Sequence, residues 1–380
     1  MHVRKVDLHV HLLQSLMVED LFELAKDVYN DINWNRFGFL DRYESYFGVR
    51  LDPVKVFDKA IATGDLSEIK AICVYQYSPE GNFEAFDIKS FFPLCITGYY
   101  FDNDQPEIVL KYIVNRHKKE GIRYIEYRNG FGGGGQIWKD WHARFARFLK
   151  HASTDQFQAK YIVRLGDYVE FKEMMQENPD VVDTIVGVDF SGREISPVRL
   201  KSFYEQIKID RHQNPESTPD VVVHIGENFN DISLESAIRR VHQSALFGAK
   251  RLAHCIVLGL DPSIAIKRQQ STHEHESVEE RLDQIQYDLD HSQSLAGFGI
   301  YVDKDALIKE KSNLDGIKNK DQLVYRAYSI ERLQEVKKRQ DFVLSELSRL
   351  DKIIEICPTS NLCIGGIPTL KDHSFIKLYA

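Results

Sequence analysis

Short apolar runs alternate with helical stretches along most of this chain, and that rhythm restricts the fold to parallel α/β architectures. Residues 122–128 read as a strand that ends in a glycine-rich loop over 130–135. A Trp138/Trp141/Phe145/Phe148 stripe at helical spacing follows, then a strand at 159–165 and a helix at 171–176. The pattern continues with strands at 182–190, 221–225 and 250–257. Helices at 197–207 and 233–247 separate them, the second opened by Asp231 or Ser233 as N-cap. Residues 6–12 supply a first strand and residues 353–357 a last one. Residues 19–119 read as mainly helical, although 69–75 and 94–99 fit strand or buried helix equally, since periodicity does not separate the two over so short a run. The expected fold is a TIM-type (β/α) barrel.

One connection breaks the rhythm. Residues 261–352 are too many for an ordinary barrel crossover; they are charged and largely helical, most clearly over 330–350. The expected organisation is six barrel strands with an N-terminal helical segment over 1–260, a helical insertion over 261–351, and a seventh strand with its following loop over 352–380. The insertion reads as a lid, or as an assembly surface that would make a homo-oligomer.

A chain of 380 residues, 43% hydrophobic and 28% charged, has ample material for a buried core. Its net charge of −8 argues against nucleic acid or an anionic membrane surface as partner. No apolar run has bilayer-spanning length, and the first residues lack a signal-peptide core. Cys73, Cys95, Cys255, Cys357 and Cys363 are scattered without paired spacing, which fits a reducing cytoplasm better than a disulfide framework.

The chemistry gathers at strand ends. Val6-Asp7-Leu8-His9-Val10-His11, Val221-Val222-Val223-His224-Ile225-Gly226-Glu227 and Arg251-Leu252-Ala253-His254 each finish an apolar run with histidine. Side chains alternate along a strand, so His9 and His11 point the same way, and in a barrel every strand opens on one mouth. Neutral imidazoles suit zinc, and a catalytic site keeps one position open for water. Glu227 follows Gly226, whose backbone freedom lets the chain turn and return the carboxyl to the histidines.

These residues resemble the adenosine deaminase family, within the amidohydrolase superfamily of metal-dependent hydrolases. The likeness covers nearly the whole chain apart from the insertion. It rests on six motifs in family order: residues 5–12; 121–128; Gly187-Val188-Asp189-Phe190-Ser191-Gly192-Arg193-Glu194; His224-Ile225-Gly226-Glu227; Arg251-Leu252-Ala253-His254; and Cys357-Pro358-Thr359-Ser360-Asn361. The resemblance implies one zinc ion held by His9, His11 and His224, supplying hydroxide near neutral pH to a small purine substrate. It further implies that Glu227 shares a proton with a ring nitrogen, that His254 orients the hydroxide, and that the Gly192 amide holds the ring. The product side would be an oxo-purine and ammonia.

The sequence departs from the family in three places, one of them the long insertion already described. The family closes its site with paired aspartates after an eighth strand; no such segment occurs here, so the expectation is a barrel lacking its last β/α unit. Leu13 stands where the family carries the aspartate that meets the ribose 5′-hydroxyl, which leaves nucleoside, nucleotide and modified purine all open. Two rivals follow: a zinc hydrolase of the same superfamily acting on another C–N or ester bond, and an inactive barrel serving as a binding or assembly module. Other features read as structural. His273-Glu274-His275-Glu276 and Lys337-Lys338-Arg339 are expected on solvated helix faces, and Arg123, Arg128 and Arg164 are candidates for buried ion pairs.

Overall fold

The computed structural model describes residues 5–76, 83–130, 134–190, 194, 196–215, 218–227, 232–269, 273–365 and 367–375. The chain divides into two compact units, residues 1–78 with 82–189, and residues 79–81 with 190–380.

The first unit opens with β1 (Lys5–His11), followed by α1 (Val18–Ala25), α2 (Phe39–Phe47), α3 (Pro53–Thr63), α4 (Ser67–Cys73), α5 (Phe83–Asp102) and α6 (Pro106–Lys119). The two ambiguous runs therefore lie in or beside α4 and within α5. Burial explains the second: Ile88, Phe92, Cys95, Ile96 and Tyr100 are buried at helical spacing. Phe92 and Phe57 flank Trp34, with ring centroids 5.3 and 5.5 Å away, an aromatic core for this helical segment. The β/α rhythm then resumes with β2 (Ile122–Asn129), α7 (Gly135–Ala152), β3 (Gln158–Arg164), α8 (Tyr168–Glu177) and β4 (Ile185–Phe190).

Strands β1 to β4 are parallel and adjacent in chain order. Helix α7 buries Trp138, His142, Phe145 and Leu149, and His142 Nδ1 meets the Tyr161 hydroxyl on β3 at 2.8 Å. Burial holds that imidazole neutral, its pKa pushed down to about 3. β4 starts three residues later than the apolar run suggests, because Pro179 opens a 3₁₀ turn over Pro179–Thr184. Of the three arginine candidates, Arg128 alone forms the expected buried pair, its Nη1 lying 3.7 Å from Asp189 Oδ2. Arg123 is exposed, donating to the Gln156 carbonyl, and Arg164 is exposed as well.

The second unit runs through α9 (Lys201–Gln213), β5 (Asp220–Ile225), α10 (Leu234–Phe247) and β6 (Arg251–His254). Ser233 caps α10, its hydroxyl accepting from the Ser236 amide at 3.0 Å. Next come α11 (Pro262–Gln269), β7 (His273–Ser277), α12 (Val278–Asp290), α13 (Ser292–Gly297), α14 (Lys304–Asp315), β8 (Leu323–Ala327) and α15 (Ile330–Arg349). The unit ends with β9 (Ile353–Glu355) and α16 (Pro358–Gly365). β5, β6 and β9 are adjacent and parallel, so the long excursion from 261 to 351 leaves the parallel set and returns to it beside β6. A buried ion pair ties β6 to β9, with Arg251 Nε donating to Glu355 Oε1 at 2.6 Å. The architecture is α/β, with seven parallel strands flanked by helices.

Residues 261–351 are largely helical, and two sequence expectations are corrected there. Residues 273–276 are not a solvated helix face; they form β7, paired antiparallel with β8. Glu274 and Glu276 point inward and are buried, while His273 is exposed and His275 partly so. Arg326 on β8 and Arg332 on α15 meet Glu274 at 2.8 and 2.7 Å, which makes the buried carboxylate tolerable. A second correction concerns Arg339. It does not face solvent with its lysine neighbours but is buried, forked onto Asp288 at 2.6 and 2.8 Å.

Candidate active site

On β1 the two histidines are set by an irregular ladder. Three steps from Asp7 to Val10 face two steps from Ile125 to Tyr127 on β2, so β1 carries one extra residue there. Such a bulge re-aims side chains locally. The His9 amide donates to Asp7 Oδ1 at 3.0 Å within it, and the His9 and His11 rings lie 5.3 Å apart, tilted by 58°.

β5 delivers His224, which is buried, and then turns at Gly226, where φ is +71°. A Cβ at that position would come within 2.8 Å of Val257 Cγ2 and 3.0 Å of Val241 Cγ2, so glycine satisfies both the dihedral and the space. Glu194 locks the turn: its two carboxylate oxygens accept the amides of Gly226 and Glu227 at 3.0 and 2.8 Å. Glu227 is thereby held beside His254, with Oε2 3.4 Å from His254 Nε2.

His254 ends β6 with φ at +75°, followed by Cys255 at +48°. Two successive non-glycine residues in the left-handed region store about 1–3 kcal/mol each, a cost that surrounding structure must over-determine. The His224 and His254 rings lie 5.2 Å apart. Asn361, buried on α16, donates through Nδ2 to Glu227 Oε1 at 3.2 Å and to His254 Nδ1 at 3.0 Å. Behind it, His373 Nε2 sits 3.3 Å from Asn361 Oδ1, and burial pushes the His373 pKa down.

Within the second unit, His224 and His254 bring ring nitrogens within 4.8 Å of each other and could both take part in holding a metal ion. His224 was expected as a ligand and His254 beside the metal; His9 and His11, the other expected ligands, belong to the first unit. Glu227 lies against His254. Gly192, the expected ring-binding amide, falls outside the described residues. Leu13 is buried in a 3₁₀ turn directly after β1 and offers no polar group.

Three residues of this array carried no role in the sequence reading. Glu194 and Asn361 sit inside two of the quoted motifs, so their positions were visible while their partners were not. His373 lies in no motif, and nothing in its sequence neighbourhood marks it. Compared with models of known protein families and with curated proteins, the chain matches none.

Proposed function

We propose that this chain is a zinc-dependent hydrolase of the adenosine deaminase kind, built on a TIM-type barrel, that removes the amine of a purine nucleoside or nucleotide. The donor set fits the metal: neutral imidazole nitrogens suit zinc, and few protein ligands leave a position for water. His9, His11 and His224 would hold the ion. Bound there, zinc supplies Lewis acidity and a water that ionises near neutral pH.

The remaining steps belong to the chain's own groups. The Glu227 carboxyl hands a proton to the purine ring nitrogen next to the amine-bearing carbon, which makes that carbon electrophilic. His254 orients the attacking water. Glu194, by holding two consecutive amides, keeps Glu227 from swinging away. The observation that carries the reading is Glu227 seated against His254, with His254 grouped beside His224.

Ammonia release from a panel of aminopurine nucleosides and nucleotides tests the proposal, with metal content measured on the same sample. Glu227→Gln should lower turnover by roughly 10²–10⁴-fold while leaving zinc content unchanged. No release from any purine by the zinc-loaded chain, or full turnover in Glu227→Gln, would sink it.

A further inference from the structure

The hydrogen bonds behind Glu227 and His254 form a directed chain whose start lies in the segment after α16. The Phe375 amide donates to His373 Nδ1 at 3.0 Å. That nitrogen is therefore the acceptor, and the ring proton sits on Nε2. Nε2–H then donates to Asn361 Oδ1 at 3.3 Å. This fixes the amide, because a flipped Asn361 would face the Nε2–H with its own N–H₂.

With Oδ1 engaged, the two Nδ2 protons are sent forward. One reaches Glu227 Oε1 at 3.2 Å and the other His254 Nδ1 at 3.0 Å. His254 Nδ1 is thus an acceptor, and its proton resides on Nε2, the nitrogen 3.4 Å from Glu227 Oε2. A neutral imidazole protonated on Nε2 with Nδ1 engaged has no lone pair left for a metal.

We propose that Asn361 and His373 are positioning residues: together they fix His254 in its Nε2–H tautomer and hold the Glu227 carboxyl toward it. This separates His254 from the neighbouring His224, as a hydrogen-bond donor to the reacting water rather than a ligand. The proposal rests on the functional reading above for what the donor acts on, but the tautomer itself does not depend on any reaction. The segment that carries His373 is anchored independently. Ser374 packs on Gly259, where an added Cβ would come within 2.8 Å of the Ser374 Cα, and both His373 and Ser374 are buried.

The experiment reads the His254 ring directly, by ¹⁵N chemical shifts of the zinc-loaded full chain labelled in histidine, with His254→Gln identifying its signals. The wild type should show an unprotonated Nδ1. Asn361→Asp is isosteric but presents only acceptors to that nitrogen, so the proton should move to Nδ1 and kcat should fall about 10–100-fold with little change in KM. His373→Leu, which removes the donor that orients the amide, should mix the tautomers. His373→Gln, which can donate to Asn361 Oδ1, should restore the wild-type signals. A His254 ring that keeps its Nδ1 unprotonated in Asn361→Asp overturns the relay, whether or not the chain deaminates purines. Absence of ammonia release alongside the expected shifts would overturn the functional reading and leave the relay standing.

Discussion

Position 226 shows how much a single residue can constrain the site. Gly226 has a left-handed backbone and two valine methyl groups where a Cβ would stand. Gly226→Ala should therefore cost about 2–4 kcal/mol of unfolding free energy, summing left-handed strain and overpacking, as measured by chemical denaturation. A variant within 0.5 kcal/mol of wild type, on the order of an ordinary surface change, would show that the turn is softer than its geometry implies. The turn was legible beforehand because a glycine stands directly before a carboxylic acid, just past a strand-end histidine. The partner that locks it, Glu194, was not legible as such. Its amide contacts lie more than thirty positions along the chain, and local pattern carries no information about which loop a carboxylate will reach.

Among the elements, helices of the insertion pack buried charge against α10. Arg239 on α10 is buried against Glu280 and Asp283 of α12, and Arg339 on α15 against Asp288. Glu235 lies in the same layer, its Oε1 3.8 Å from Arg239 and 3.6 Å from Arg339. Burial outweighs those two guanidiniums, with Glu276 and Asp288 adding to it, and pushes the Glu235 pKa up to about 7. The folded state therefore holds this proton more tightly than the unfolded chain does. The stabilisation linked to it is complete below the unfolded value of about 4.5 and is lost as pH rises through about 7.

Glu235→Gln removes that titration. Relative to wild type, the variant should gain on the order of 2 kcal/mol between pH 5 and pH 8 in denaturant unfolding. A stability difference that stays flat with pH would contradict the assignment. The sequence pattern failed in this layer for a physical reason. A period of two in His273-Glu274-His275-Glu276 signals a strand only if one face can be buried, and burial of two carboxylates depends on arginines some fifty residues away.

At the scale of the whole molecule, the proposed metal is the most direct handle. Dialysis against a chelator should abolish ammonia release and lower Tm, and zinc in excess should restore both. A free-metal concentration a thousand-fold above Kd adds about 4 kcal/mol to the folded state. A chain whose Tm ignores both chelator and zinc does not bind the ion in its folded form.

The alternation of apolar and amphipathic runs was enough to establish parallel strands linked by helices, since each element declares its period within a dozen residues. It also marked the strand-end histidines and Glu227, because motif and element end coincide. Which nitrogen faces which oxygen was decided only in three dimensions. His254, Asn361 and His373 meet across separations of 107 and 12 residues, and the direction of every proton between them follows from one backbone amide at Phe375. Hydrogen-bond direction is a property of closed networks, and no stretch of sequence contains a network until the chain has folded around it.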